Sequence, residues 1–145
     1  MKKYYILALA TSLAALTGCE DEVKVPPVND VTELTAVING AQQVPANSST
    51  ADGTFTGRYT SSTKQLVYTV TYKGMTPTVA HIHRGAPGTN SSVDVPFANL
   101  TSPITGTVTL SAEQADLLLS NRMYVNIHSA PPYGGGEIRG DIKKK

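Results

Sequence analysis

From Val31 to the C-terminus the chain repeats one pattern: short segments in which β-branched or aromatic residues alternate with polar ones, separated by turn-forming clusters. A period of two is what a strand with one buried face requires, because successive side chains point to opposite sides of a sheet. Read this way, strands fall at 31–38, 54–60, 65–72, 79–84, 93–97, 104–110, 123–129 and 137–143. The breaks at Asn39-Gly40, 47–53, 61–64, 85–92 and 131–136 are rich in Gly, Pro, Asn and Ser, residues whose backbone preferences favour turns. Segments recurring every ~8–15 residues are the mark of a sandwich or barrel. The predicted fold is all-β, an antiparallel β-sandwich of about eight strands. With no Trp and two Phe, its core must rest on Val, Ile, Leu and seven Tyr. One segment departs from the pattern. Ser111-Ala112-Glu113-Gln114 has the spacing of a capping box, in which the first and fourth residues satisfy each other's backbone amides. A short helix is therefore predicted over 111–121, with Ala115, Leu118 and Leu119 on its core-facing side, closing one end of the sandwich.

The first residues follow a different logic. Lys2 and Lys3 precede an apolar stretch, Tyr4 to Leu16, too short for the ~20 residues of an easy membrane span, and the order basic, apolar, small is that of an export signal. Its end, Leu16-Thr17-Gly18-Cys19, resembles a bacterial lipobox, which implies cleavage before Cys19 and lipid on that residue. Cys19 is the only cysteine, so no disulfide forms within one chain and the exported domain must be stable without one. The chain is thus divided into a lipoprotein signal peptide at 1–18, a lipidated Cys and flexible tether at 19–30, and a β-sandwich domain at 31–145. Glu20, Asp21 and Glu22 in the tether are similar to the surface-export signal of Bacteroidetes lipoproteins; an ordinary solvated linker reads the same way. Removing Lys2 and Lys3 turns the formal charge of +1 into −1. That balance is wrong for phosphate backbones, so nucleic acid is not an expected partner, and lipid rather than charge is expected to hold the protein to a membrane.

All three histidines fall in two strands, as His81-Ile82-His83 and at the end of Tyr124-Val125-Asn126-Ile127-His128. If Met123, Val125, Ile127 and Ile82 face the core, alternation sends His81, His83 and His128 to the opposite side. Histidines two apart on a strand have Cα atoms ~6.5 Å apart, and their rings can share an ion completed by a third imidazole from a neighbouring strand. Neutral imidazoles suit copper or zinc. The other reading is that these rings hydrogen-bond and organise the Gly-rich loops beside them, 85–92 and 131–136. In the last strand, Glu137, Arg139 and Asp141 take the outward face. Glu137 and Arg139 either orient the histidines as supporting residues or belong to a solvated edge strand with alternating charges. A nucleophile elbow, a reactive Cys and a phosphate-binding Gly loop are all missing from the sequence, so hydrolase chemistry is unsupported.

Several pieces together resemble the CHRD domain, first described in the developmental protein chordin and widespread in bacterial exported proteins. They are Leu34 with Asn39-Gly40-Ala41-Gln42-Gln43-Val44-Pro45, then Ala51-Asp52-Gly53, Leu66-Val67-Tyr68 and Ala80-His81-Ile82-His83-Arg84-Gly85-Ala86-Pro87-Gly88. Tyr124-Val125-Asn126-Ile127-His128-Ser129 and Gly136-Glu137-Ile138-Arg139-Gly140 complete the set in the right order. The resemblance implies an extracellular or periplasmic β-sandwich module of largely undefined role. The His-x-His strand is also similar, more weakly, to the copper-ligand strand of Cu/Zn superoxide dismutases. Three histidines cannot supply both metal sites of that family, and its cysteine pair is absent, so any redox chemistry would be of a copper-only kind.

The expected protein is an exported, lipid-anchored CHRD module. It acts as a non-enzymatic binding or structural module for an undefined envelope or extracellular ligand, with the face of His81, His83 and His128 as a structural or metal-binding centre. The alternative is a single-copper superoxide-dismutase-like or copper-handling protein. Its expected place is the bacterial cell envelope, at the outer membrane or cell surface in preference to the inner membrane. Replacing Cys19 by Ser should release the protein from membranes on fractionation of cells expressing it; membrane retention of that variant would contradict lipidation at Cys19.

Overall fold

The computed structural model describes residues 30–145; the expected signal peptide, Cys19 and the tether up to residue 29 lie outside the described residues. Among the described residues nine strands form in chain order: β1 (Val31–Asn39), β2 (Asp52–Thr60), β3 (Gln65–Lys73), β4 (Pro77–Arg84), β5 (Val93–Pro96), β6 (Ile104–Thr109), β7 (Met123–Ser129), β8 (Ile138–Asp141) and β9 (Lys143–Lys144). Among the described residues a single α-helix, α1 (Ala112–Leu119), lies between β6 and β7. The all-β expectation and nearly every strand position hold. The ninth strand arises because the segment foreseen as one strand at 137–143 changes partner along its length. Tyr124 to Ile127 of β7 pair with β8, whereas Lys143 and Lys144 pair with Thr35 and Leu34 of β1.

Every pairing is antiparallel, in the order β5-β4-β7-β8-β1-β2-β3-β6. The weak point of this path is the β1–β8 joint, where the only paired residues are Asn39 and Arg139. There the sheet folds over on itself, nearly closing, as sandwich corners do where a strand switches sheets. The two halves, β6-β3-β2-β1 and β8-β7-β4-β5, face each other across one apolar cluster. Leu34, Ile38, Phe55, Leu66 and Val70 enter it from the first half, and Ile82, Val125, Ile127 and Ile138 from the second. Phe55 and Tyr68 stack at 6.3 Å between ring centroids, and Tyr68 and Phe97 at 5.1 Å, which closes the side of the sandwich away from the folded joint.

The helix forms as its capping box requires. Ser111 Oγ accepts from the Gln114 amide at 3.1 Å and Gln114 Oε1 accepts from the Ser111 amide at 2.9 Å. Asn121, with φ at +57°, ends it in the left-handed region that Asn tolerates. Ala115 and Leu118 are buried and Leu119 packs against the same cluster. Arg84 at the end of β4 bridges Asp94 and Glu113 and so fixes α1 to the sheet.

The two halves differ on their outer sides. In β2, residues 52–59 alternate between exposed and buried, as expected of a sheet with one wet face. In β7, Met123, Tyr124, Val125, Asn126 and Ile127 are all buried, because loops form a second layer over the outer face. Among the described residues, no helix is long and apolar enough to cross a membrane.

Ile82 is fully buried in the cluster whereas Val37 is 65% exposed. Ile82→Ala should therefore cost about 2–5 kcal/mol of stability, and Val37→Ala no more than about 0.5 kcal/mol, in urea denaturation of the domain. Equal costs at the two positions would contradict this assignment of the core.

Candidate metal centre

The outer face of β4, β7 and β8 is a grid set by register. His83 pairs with Tyr124 and His81 with Asn126 across β4–β7, and Asn126 pairs with Arg139 and Tyr124 with Asp141 across β7–β8. Val79 pairs with His128. Because β4 and β7 each place alternate residues on one side, the three histidines arrive on the same side of the sheet, as alternation predicts.

The rings come together. His81 lies edge-on to both partners, 5.2 Å from His83 at 85° and 5.3 Å from His128 at 76° between ring planes. One nitrogen from each ring lies within 4.8 Å of the other two. Two loops orient them: His83 Nδ1 donates to the Ser91 carbonyl at 2.9 Å and His128 Nδ1 to the Gly134 carbonyl at 2.9 Å. A carbonyl only accepts, so each Nδ1 carries a proton, and in the neutral ring Nε2 is then left with a bare lone pair. Among the described residues nothing hydrogen-bonds His81 Nδ1, His83 Nε2 or His128 Nε2, although all three atoms are buried. His83 and His128 thereby match metal-ligating histidines, in which a second hydrogen bond on the far nitrogen fixes tautomer and ring plane. The two sequence readings are thus compatible, since the nitrogens that organise the loops are the ones a metal does not need.

Electrostatics favour the neutral form of His81 and His83. Burial pushes the His81 imidazole below its ordinary value, and His83 and His128 beside it add to the effect. Burial also pushes His83 down, against the Ser91 carbonyl and Asp94 and with the help of His128 and Arg139.

Glu137 and Arg139 are not on a solvated edge. β8 runs between β7 and β1, and the two side chains are only 6% and 1% exposed. Strand alternation alone cannot distinguish an edge from an interior strand covered by loops, and that ambiguity is what the structure removes. Nor do the two residues pair with each other or hydrogen-bond a histidine. The Glu137 carboxylate accepts from Ser49 Oγ at 2.7 Å and from Ser129 Oγ, tying the 43–51 segment to the end of β7. Arg139 pairs with Asp141 at 3.1 Å and donates to the Thr89 carbonyl at 2.9 Å. Its guanidinium lies 3.6 Å from the centroid of the Tyr124 ring, and His83 stacks on that ring at 4.9 Å.

Sequence reasoning missed Tyr124, Ser91, Gly134 and the buried Gln43–Asn126 hydrogen bond of 2.6 Å. Tyr124 and Asn126 share the face of His128, so alternation marked them; the carbonyls of Ser91 and Gly134 leave no trace in residue identity. Gly136 has a clearer reason. Its φ is +128°, and a Cβ there would lie 2.7 Å from both Asn126 Oδ1 and Gln43 Nε2.

Fold and site together define a β-sandwich module with three converging imidazoles under a cover of loops. The model of the CHRD domain matches residues 34–142, and the chain belongs to that family. No curated protein and no solved structure matches it.

Since folding lowers the imidazole values of His81 and His83, the unfolded chain binds more protons than the native one just below pH ~6.5. The stabilisation from these neutral rings is complete above pH ~6.5 and is lost as pH falls from there toward the lower native values. Melting temperatures of the metal-free protein should drop between pH 7.5 and 5.5, and His81→Gln should reduce the drop. A flat profile in that window would contradict the buried neutral cluster.

Proposed function

We propose that this CHRD module holds one copper or zinc ion on His81, His83 and His128 and works, anchored through lipid on Cys19 at the cell envelope, as a non-enzymatic binding or structural module. The observations that support the ion are that one nitrogen of each ring lies within 4.8 Å of the other two, and that each ring has a buried nitrogen without a hydrogen-bond partner among the described residues, loop carbonyls holding the other nitrogen of His83 and His128. Buried polar atoms left unpaired cost ~1–3 kcal/mol each, and a single cation would satisfy all three. Imidazole donors without thiolate or carboxylate fit copper or zinc rather than magnesium or calcium. The ion would also hold β4 and β7 together with the loops at 85–92 and 130–136. The envelope placement rests on the signal-peptide pattern, the lipobox resemblance and the family's wide occurrence in exported proteins.

Three protein ligands leave a fourth position for water or a small ligand. This favours, as a second reading, a copper-handling or single-copper superoxide-dismutase-like protein. A superoxide assay on the copper-loaded domain separates the two readings.

Calorimetric titration of the untagged protein at neutral pH should show one zinc or copper ion per chain. His81→Ala, His83→Ala and His128→Ala should each weaken binding by at least about tenfold, as expected for loss of one of three ligands. Metal at 100 times its Kd should add ~2.7 kcal/mol of stability. No binding by the parent, or parent-like binding by all three variants, would overturn the metal reading. The rings would then be loop organisers, each lost hydrogen bond costing ~1 kcal/mol.

A further inference from the structure

His83 sits in a closed circuit that the metal reading alone does not explain. Its Nδ1 donates to the Ser91 carbonyl, the Ser91 amide donates to the Tyr124 hydroxyl at 3.1 Å, and the Tyr124 ring stacks on the His83 imidazole with planes only 8° apart. Tyr124 therefore touches His83 twice, directly through its ring and indirectly through both polar groups of one loop residue. The register places β4 and β8 on either side of β7, so Arg139 approaches the tyrosine ring from the side away from His83. It also holds the same loop two residues earlier, through Thr89. Tyr124 is 1% exposed, and a ring gripped between an imidazole and a guanidinium has little freedom to rotate. His128, in contrast, has one loop carbonyl and no tyrosine against its ring, which faces His83 only loosely, at 6.4 Å and 29°.

We propose that Tyr124, backed by Arg139, is the positioning residue for His83: it holds the Ser91 carbonyl where only the Nδ1–H tautomer fits and so aims the bare Nε2 lone pair at the three-histidine centre. As a statement about tautomer and ring plane this stands without an ion; as a statement about metal affinity it rests on the proposed metal centre. Removing a partner that orients a ligating histidine typically weakens metal binding 10–100-fold.

The test is Tyr124→Phe, which keeps the ring stack and removes the hydroxyl. Nitrogen-15 NMR of the histidine rings in the metal-free protein at pH 7.5 should show His83 as a single Nδ1–H tautomer in the parent and as a tautomer mixture in the variant. His128 should be Nδ1–H in both, a selectivity that general loosening of the fold would not produce. Zinc affinity should fall 10–100-fold in the same variant. An unchanged His83 tautomer in Tyr124→Phe, or a parent His83 that is already mixed, would overturn the inference even if zinc binds. Parent protein that binds no zinc would instead defeat the metal centre and leave the tautomer result to decide this proposal. Should the variant fail to fold, amide exchange in the parent decides. A Ser91 amide as slow as its hydrogen-bonded neighbours supports the circuit, and one that exchanges like open loop contradicts it.

Discussion

The two-residue pitch of β4, β7 and β8 is the constraint on which the rest of the structure depends. It sends Ile82, Val125, Ile127 and Ile138 into the apolar cluster and, by the same geometry, gathers His81, His83, Tyr124, Asn126, His128 and Arg139 on the opposite side. A one-residue slip in any of these strands would exchange the two sets. The loops that cover the polar side do not fold over a neutral surface. Their course is dictated by groups that must be satisfied once water is removed: Gly134 goes where His128 Nδ1 points, and Thr89, Asn90 and Ser91 go where Arg139, Tyr124 and His83 point.

Arg139 shows how demanding that second layer is. Burying its guanidinium costs several kcal/mol before compensation. Asp141, the Thr89 carbonyl, Asn90 Oδ1 and the Tyr124 face supply the compensation from three directions. Glu137 is treated the same way by Ser49 and Ser129. A layer in which a buried arginine and a buried glutamate find such partners, while among the described residues only three adjacent imidazole nitrogens and one oxygen of the Arg84-paired Asp94 find none, is selective in what it leaves open. That selectivity is the physical case for an ion at the centre.

How far the sequence foretold this varies with the kind of information involved. Strand positions were legible because alternation and turn residues are local signals, and the helix because Ser111 and Gln114 stand at capping-box spacing. The common face of the three histidines followed from the same alternation. What escaped was whatever depends on long-range order. Nothing local tells that β8 lies inside the sheet, so Glu137 and Arg139 read equally well as surface charges. The partner switch of the last strand escaped too, since the turn from β8 to β9 is fixed by β7 and β1 rather than by its own residues. Backbone carbonyls that choose a tautomer, at Ser91 and Gly134, have no signature at all.

The most direct measurement is anomalous diffraction at the copper absorption edge from crystals of the domain grown with copper. The account predicts one strong peak per chain, bonded at ~2.0–2.1 Å to His81 Nδ1, His83 Nε2 and His128 Nε2, with both loop carbonyls still holding the Nδ1 protons of His83 and His128. A peak elsewhere on the surface, or no peak while the three rings keep their places, would contradict it.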